Sequence, residues 1–222
     1  MKTDYLSFDG REGRARYIVE HFAPLLRGSV LDVGFDTRRL KALIPDSDYV
    51  GIDIGGDPDI RINLEQHDRL PFDDNQFDAV VCTDVLEHLD SLHHVFDEMV
   101  RVCRGKLIIS LPNPWNNLRK RIPRGRGTPR YYGLPAQRPD DRHKWFFNVT
   151  DQVAFMQAQT TRHPLTIESQ RVNIKPRPPL ANQLIRAVHL SRMRYLNRYA
   201  HTLWTVLRKI DGAASTQPAA VR

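Results

Sequence analysis

Residues 30–34 read Val-Leu-Asp-Val-Gly, a short apolar run that contains one acid and ends in glycine. Such a run is typical of a buried parallel strand that enters a tight turn. A second run, Tyr49-Val50-Gly51-Ile52-Asp53-Ile54, follows and again carries an acid near its end. Between them, residues 38–44 have the pattern of a short helix that ends near Pro45. The order strand, helix, strand predicts the first unit of a parallel sheet.

Strands and helices alternate on both sides of this unit. The predicted helices are 14–27, 92–102 and one that begins at Asn148 or Thr150. The further predicted strands are 60–62, 77–83, 106–111 and 165–172, which makes six in all. This alternation favours an α/β fold with a doubly wound, mostly parallel sheet. Ligands of such sheets bind beyond the carboxyl ends of the strands, where the strand order reverses.

Five blocks of the chain resemble the motifs of class I methyltransferases that use S-adenosylmethionine (SAM), of the methyltransferase 11 type. They are residues 30–34, 49–53, 70–81 (LPFDDNQFDAVV), 84–89 (DVLEHL) and 106–113 (KLIISLPN). The resemblance covers roughly residues 28–115, and the blocks stand in the family's order. It implies a Rossmann-like class I methyltransferase fold, SAM as the cofactor and methyl transfer as the reaction.

The resemblance and the chemistry of SAM assign cofactor contacts to the strand ends. A carboxylate after the second strand can accept hydrogen bonds from both ribose hydroxyls, and Asp53 has that place. Gly34 lets the backbone approach the ligand closely, and Asp32 is placed to accept from the SAM amino group. The other predicted cofactor contacts border the adenine or the methionine part and are Ile54, Asn63, Leu64, Cys82, Thr83 and Asp84.

The turn after the first strand departs from the family. The family has a Gly-x-Gly-x-Gly turn there, whereas this chain keeps only Gly34 and continues Phe35-Asp36-Thr37-Arg38. A repositioned loop, weak SAM binding and lost catalysis are the three interpretations. The intact second-strand and fourth-strand blocks favour retained SAM binding.

Two histidines are candidates for the general base that a hydroxyl acceptor needs. His88 belongs to the DVLEHL block, where a structural role at a helix start is the alternative. His143 lies in residues 142–147 (RHKWFF), which resemble the substrate-side His-x-x-Phe segment of many family members. The acids and histidines of residues 84–94 are of metal-ligating types, but the resemblance assigns them to a motif without metal, so no metal site is predicted.

Charge divides the chain into two unlike halves. Residues 1–112 contain 13 Lys and Arg against 21 Asp and Glu, a net charge of −8. Residues 113–222 contain 20 against 5, a net charge of +15. The basic half favours an anionic partner, which could be a phosphate-bearing substrate, lipid headgroups, RNA or an acidic protein. A solvated basic surface without a partner is the alternative.

A long segment over 113–147, rich in Arg and Pro with interleaved aromatics, is interpreted as a substrate loop. Its arginines can bind phosphate groups. The predicted substrate contacts are Trp115, Arg119, Arg130, Tyr131 and Trp145.

The end of the chain is predicted as one basic amphipathic helix over 176–210, appended to a methyltransferase-like domain over 1–175, and a disordered tail over 211–222. No acid occurs from 182 to 210. Packing on the sheet or on a second copy of the chain is one interpretation of this helix. Contact with an anionic membrane surface is the other.

These observations lead to one main hypothesis, O-methylation of an anionic or membrane-associated small molecule such as a glycan or glycolipid. A non-catalytic binding protein and an RNA methyltransferase are the alternatives. The chain has no signal-peptide pattern and no apolar run long enough to span a bilayer. We therefore expect a cytoplasmic protein, with peripheral contact to the inner membrane surface and a homodimer as further expectations.

Overall fold

The computed structural model of the protein describes residues 1–34, 39–127, 129, 131–189 and 191–210. The predicted turn at 35–38, Arg130 and the predicted tail at 211–222 lie outside these residues. In chain order the strands are β1 (Lys2–Tyr5), β2 (Ser29–Val33), β3 (Asp48–Asp53), β4 (Ile60–Arg61), β5 (Phe77–Thr83), β6 (Cys103–Pro112), β7 (Leu165–Ile174) and β8 (Ala200–Lys209). The helices are α1 (Gly10–Phe22), α2 (Arg39–Leu43), α3 (Leu92–Val102), α4 (Pro114–Leu118), α5 (Val149–Arg162), α6 (Pro179–Ala187) and α7 (Arg192–Tyr199).

The strands form one sheet in the order β1-β7-β8-β6-β5-β2-β3-β4. All neighbours are parallel except β8, which runs antiparallel to both β6 and β7. The predicted doubly wound, mostly parallel α/β fold is thereby confirmed. Strand order reverses between β2 and β5, because the chain builds β3 and β4 on one side of β2 and later strands on the other.

Both faces of the sheet are covered, and successive strand residues alternate between them. Leu31, Val80 and Leu107 belong to the core that contains residues of α3 and α5. Their neighbours Val30 and Val81 belong to the core beneath α1. Double coverage explains why the central strands read as continuous apolar runs.

Helix α5 begins at the predicted cap. The Asn148 side chain accepts from the backbone N–H groups of Thr150 and Asp151, and the Asp151 carboxylate accepts from the Asn148 N–H. This reciprocal pair satisfies backbone donors that the first turn of a helix leaves without partners.

The single amphipathic helix predicted over 176–210 is wrong. The segment contains α6, α7 and then β8, which lies between β6 and β7 inside the sheet. Residues 202–207 are buried on both faces, so β8 shows no period-2 alternation. Its β-branched and aromatic composition (Thr202, Trp204, Thr205, Val206) suits a strand. β8 and β1 are the two strands beyond the six predicted.

Candidate active site

A cavity of about 830 Å³ opens beyond the carboxyl ends of β2, β3 and β5, beside the reversal of strand order. Predicted cofactor residues meet in its wall: Asp32, Gly34, Asp53, Ile54, Asn63, Leu64, Thr83 and Asp84. Cys82 is the exception, because its side chain is buried in the core. Burial also raises the pKa of the Cys82 thiol well above its usual value. The strand ends therefore bring together nearly all of the predicted cofactor contacts.

The turn after β2 has no room for a side chain. Gly34 has φ +82°, and a Cβ there would lie 2.1 Å from Cγ2 of Val85. Its N–H donates to the Ile52 carbonyl at 2.9 Å, which holds the turn against β3. Glycine is therefore required at this position both for backbone conformation and for space.

The two acids of the cavity have different surroundings. Asp53 is partly exposed, and its Oδ1 accepts from the Gly55 N–H at 2.9 Å, which orients the carboxylate. Asp32 is buried and accepts a hydrogen bond from the Tyr49 hydroxyl. Burial raises the pKa of Asp32 to about 7, against the opposing effect of the Tyr49 hydrogen bond. A cationic ligand group beside Asp32 would favour its ionised form.

An ion pair stands at one end of the cavity. Arg14 of α1 binds Asp84, with 2.5 Å between Nη2 and Oδ2. Asp84 has φ +53°, and its Oδ1 accepts from the Ser110 hydroxyl at 2.7 Å. Sequence reasoning missed Arg14 and Arg11, which also lines the cavity, because nothing in the pattern of α1 separates them from solvated helix arginines.

A second cavity, of about 440 Å³, adjoins the first. The two share part of their lining: Arg11, Arg14, Asp84, His88 and Asp141. Tyr131 and His143 line only the second cavity. Of the other predicted substrate residues, Trp115, Arg119 and Trp145 line neither, and Trp145 instead donates from Nε1 to the Leu89 carbonyl at 2.6 Å.

The two predicted catalytic histidines contact each other, with 4.5 Å between ring centroids. His143 is buried and stacks on Tyr131 at 4.3 Å. Tyr132 donates its hydroxyl proton to the Trp145 carbonyl and lies 2.9 Å from Nδ1 of His143. Because that hydroxyl has only one proton, Nδ1 of His143 must donate to it. This assigns the lone pair of neutral His143 to Nε2.

Burial, reinforced by His88, lowers the pKa of His143 to about 4. The ring is therefore neutral near pH 7, as a proton acceptor must be. His88 has its Nδ1 2.5 Å from an oxygen of Asp141, and its Nε2 3.7 Å from Oε1 of Glu87. Sequence reasoning named both histidines as candidate bases, but it named Glu87 only among the metal-ligating residue types of 84–94, for which it predicted no metal site.

The residues present fit SAM. The first cavity offers a carboxylate for the ribose at Asp53, a buried carboxylate for the amino group at Asp32 and a turn without a Cβ at Gly34. Arginines of α1 at the far end provide positive charge for a carboxylate. These groups offer complementary partners to the ribose, the amino group and the carboxylate of SAM.

A known family described as "Methyltransferase domain" matches residues 31–109. Among solved structures, a SAM-dependent methyltransferase from Archaeoglobus fulgidus is similar, with 14% identity, a TM-score of 0.59 and coverage of 91% of this chain and 96% of that chain. Another from Mesorhizobium loti has 16% identity, a TM-score of 0.53 and coverage of 91% and 100%. At these identities the likeness shows the fold. No curated protein sequence matches the chain.

The chain is also similar to a chain in a solved complex from Haloferax volcanii, between the Trm112 methyltransferase activator and a methyltransferase. The identity is 18%, the TM-score is 0.51, and the match covers 93% of this chain and 97% of that chain. Residues 31–109 thus match a methyltransferase domain, and the fold around them is similar to that of SAM-dependent methyltransferases. These matches support an enzyme that transfers a methyl group and uses SAM as its cofactor.

Proposed function

We propose that the enzyme methylates a hydroxyl group of an anionic small molecule, such as a phosphorylated glycan or a glycolipid. The observation that carries this proposal is the pair of adjoining cavities. One fits SAM, and the other presents His88 and the neutral ring of His143 to an acceptor. The cavities meet at Asp84 and His88, where the methyl group and the acceptor would come together.

The chain's contribution to this reaction is positioning and proton transfer. SAM, when bound, supplies a methyl group already activated on a sulfonium, so alignment provides much of the rate. Asp53 would hold the ribose of the cofactor, and Asp32 would hold its amino group. Nε2 of His143 faces away from Tyr132 and is placed to accept the hydroxyl proton as the acceptor oxygen forms its bond to the methyl carbon.

Three arginines around one tyrosine support an anionic acceptor. The guanidinium carbons of Arg119, Arg177 and Arg198 lie 4.8, 4.5 and 5.9 Å from the centre of the Tyr199 ring. Among the described residues, none of the three forms an ion pair with a carboxylate. Burial, and next the charge of Arg177, lowers the pKa of Arg119. A phosphate would relieve this repulsion. Arg119 follows α4, whose Leu118 lines the second cavity.

Arg119→Gln is expected to raise the KM for a phosphorylated acceptor by about 10-fold or more, because a hydrogen bond to a charged group contributes about 1.5–3 kcal/mol. The assay follows tritiated methyl transfer from SAM to matched saccharides with and without phosphate. Arg124→Gln, on the exposed part of the loop, is the control. An unchanged ratio of the two KM values in Arg119→Gln would refute the anion assignment.

We further propose peripheral membrane contact through α6. Leu180, Leu184 and Val188 are 68%, 61% and 77% exposed and follow one another at helical spacing, with Arg186 between them. An exposed apolar stripe beside cationic side chains suits an anionic lipid surface. Each described helix is too short or too polar to cross a membrane.

Leu184→Asp is expected to abolish sedimentation of the protein with anionic phosphatidylserine vesicles, because it places a charge in the apolar stripe. Leu134→Asp, which alters a fully exposed leucine in the loop, should sediment like the unaltered protein. Deletion of 181–222 is unsuitable because it also removes β8. Loss of a dimer in light scattering, with vesicle binding unchanged, would instead assign α6 to a second copy of the chain.

A further inference from the structure

The second cavity has a cluster of side chains that proton transfer alone does not explain. Glu87, His88 and His143 each present a ligand-type atom, and these atoms lie within 4.8 Å of one another. They come from two distant parts of the chain, the turn after β5 and the loop before α5. The backbone N–H of Lys144 donates to the Glu87 carbonyl at 2.8 Å and joins the two parts.

Glu87 is buried, and one of its two carboxylate oxygens has no hydrogen-bond partner among the described residues. Its side chain is 1% exposed, and the oxygen in question is Oε2. A carboxylate in such a place is strongly destabilising unless a cation or a proton compensates for it. Arg14, an arginine of the cavity wall, is bound to Asp84.

Both histidines are held in the way that ligating histidines usually are. Nδ1 of His88 lies 2.5 Å from Asp141, and Nδ1 of His143 lies 2.9 Å from the Tyr132 hydroxyl. A second partner on one ring nitrogen fixes the ring and directs the other nitrogen toward an ion. Here those partners occupy Nδ1 of each ring, which leaves Nε2 of each as the atom available to an ion, and Nε2 of His88 lies 3.7 Å from Oε1 of Glu87.

We propose that Glu87, His88 and His143 form a binding site for a divalent first-row transition-metal ion. Two imidazoles and one carboxylate are a recognised ligand set for such ions and leave coordination positions for substrate oxygen. Ligand atoms that each lie about 2.1 Å from one ion are about 3–4 Å from one another. The three side chains therefore need to move by only about 1 Å to bind an ion together.

The role of the ion, unlike its binding, rests on the proposed function. An ion here lowers the pKa of a hydroxyl group beside it, as it does for water. The hydroxyl proton then passes to water in the cavity, and the acceptor oxygen bonds to the methyl carbon as the carbon–sulfur bond breaks. The electron pair stays on sulfur, and the ion is neither oxidised nor reduced. His143 is in that case a ligand rather than the base.

Titration of EDTA-treated protein with Co²⁺ alone tests the site, because bound cobalt shows visible d–d absorption. We expect saturation at one Co²⁺ per chain. Glu87→Gln and His143→Gln should abolish the band. Asp141→Asn should weaken the affinity for Co²⁺ about 10–100-fold, because it removes the partner that orients His88. His94→Gln, at an exposed histidine outside the cluster, should bind as the unaltered protein does.

Absence of a band at millimolar Co²⁺ would overturn the proposal, as would a band that survives both Glu87→Gln and His143→Gln. SAM titration of each variant checks that it is folded. Co²⁺ binding without SAM binding would refute the proposed function and leave the metal site standing. SAM binding with full methyl transfer in EDTA and no cobalt band would refute the metal site alone.

Discussion

Asp53→Ala is expected to weaken SAM binding by at least about 100-fold. The carboxylate ends β3 in the wall of the larger cavity, where its oxygens can accept from both ribose hydroxyls. Each hydrogen bond to a charged group contributes about 1.5–3 kcal/mol, so two of them correspond to about 3 kcal/mol or more. Isothermal titration with SAM measures the loss directly.

Asp68→Ala is the matched control, because Asp68 is an exposed acid on the loop after β4 that lines neither cavity. Its affinity for SAM should equal that of the unaltered protein. Unchanged affinity in Asp53→Ala would show that this carboxylate does not hold the ribose. Equal thermal unfolding of the two variants without SAM excludes a folding defect as the cause of lost binding.

His143→Gln is expected to lower kcat by about 100–10,000-fold and to leave SAM affinity unchanged, because His143 lines only the second cavity. Both roles argued above, base and metal ligand, require its Nε2. Single-turnover transfer of tritiated methyl measures the chemical step. A kcat within twofold of the unaltered enzyme would exclude His143 from the reaction.

The lowered pKa of His143 also predicts a pH effect on stability. Its folded pKa of about 4 lies below the usual value of about 6.5, so the unfolded chain binds the proton more tightly between these values. The stability that the neutral ring contributes above about pH 6.5 is therefore lost as pH falls toward 4. Urea unfolding at pH 7 and pH 5 should show a smaller drop in His143→Gln than in the unaltered protein, and an equal drop would contradict the assignment.

The sequence was sufficient for the parallel part of the sheet, because both faces of those strands are buried and each strand reads as an apolar run closed by turn residues. It was insufficient for β8. Leu203 and Leu207 are four residues apart, a spacing that suits a helix as well as a doubly buried strand. Only the pairing of β8 with β6 and β7 decides between these alternatives. β1 has only four residues and carries no pattern strong enough to predict.

The cofactor side of the site was predictable for a related reason. Asp32, Asp53 and Asp84 are near or at strand ends, and parallel strands bring their carboxyl ends to one edge. The acceptor side of the site was not predictable, because it depends on a loop that folds back over the strand ends. The segments of Glu87 and His143 are joined by the hydrogen bond from the Lys144 N–H to the Glu87 carbonyl at 2.8 Å, a contact between distant segments that no local pattern encodes.

The place of β8 in the sheet has a consequence for synthesis of the chain. β8 joins the pair β1–β7 to the remaining strands, yet it is made last among the described elements. On the ribosome, β2 to β6 can pair as they emerge, while β1 and β7 must wait for the residues from 200 onward. Until then the β6 edge is exposed, and an open edge of this kind invites pairing with other chains. Completion of the sheet therefore waits for β8, which covers the β6 edge when it pairs there.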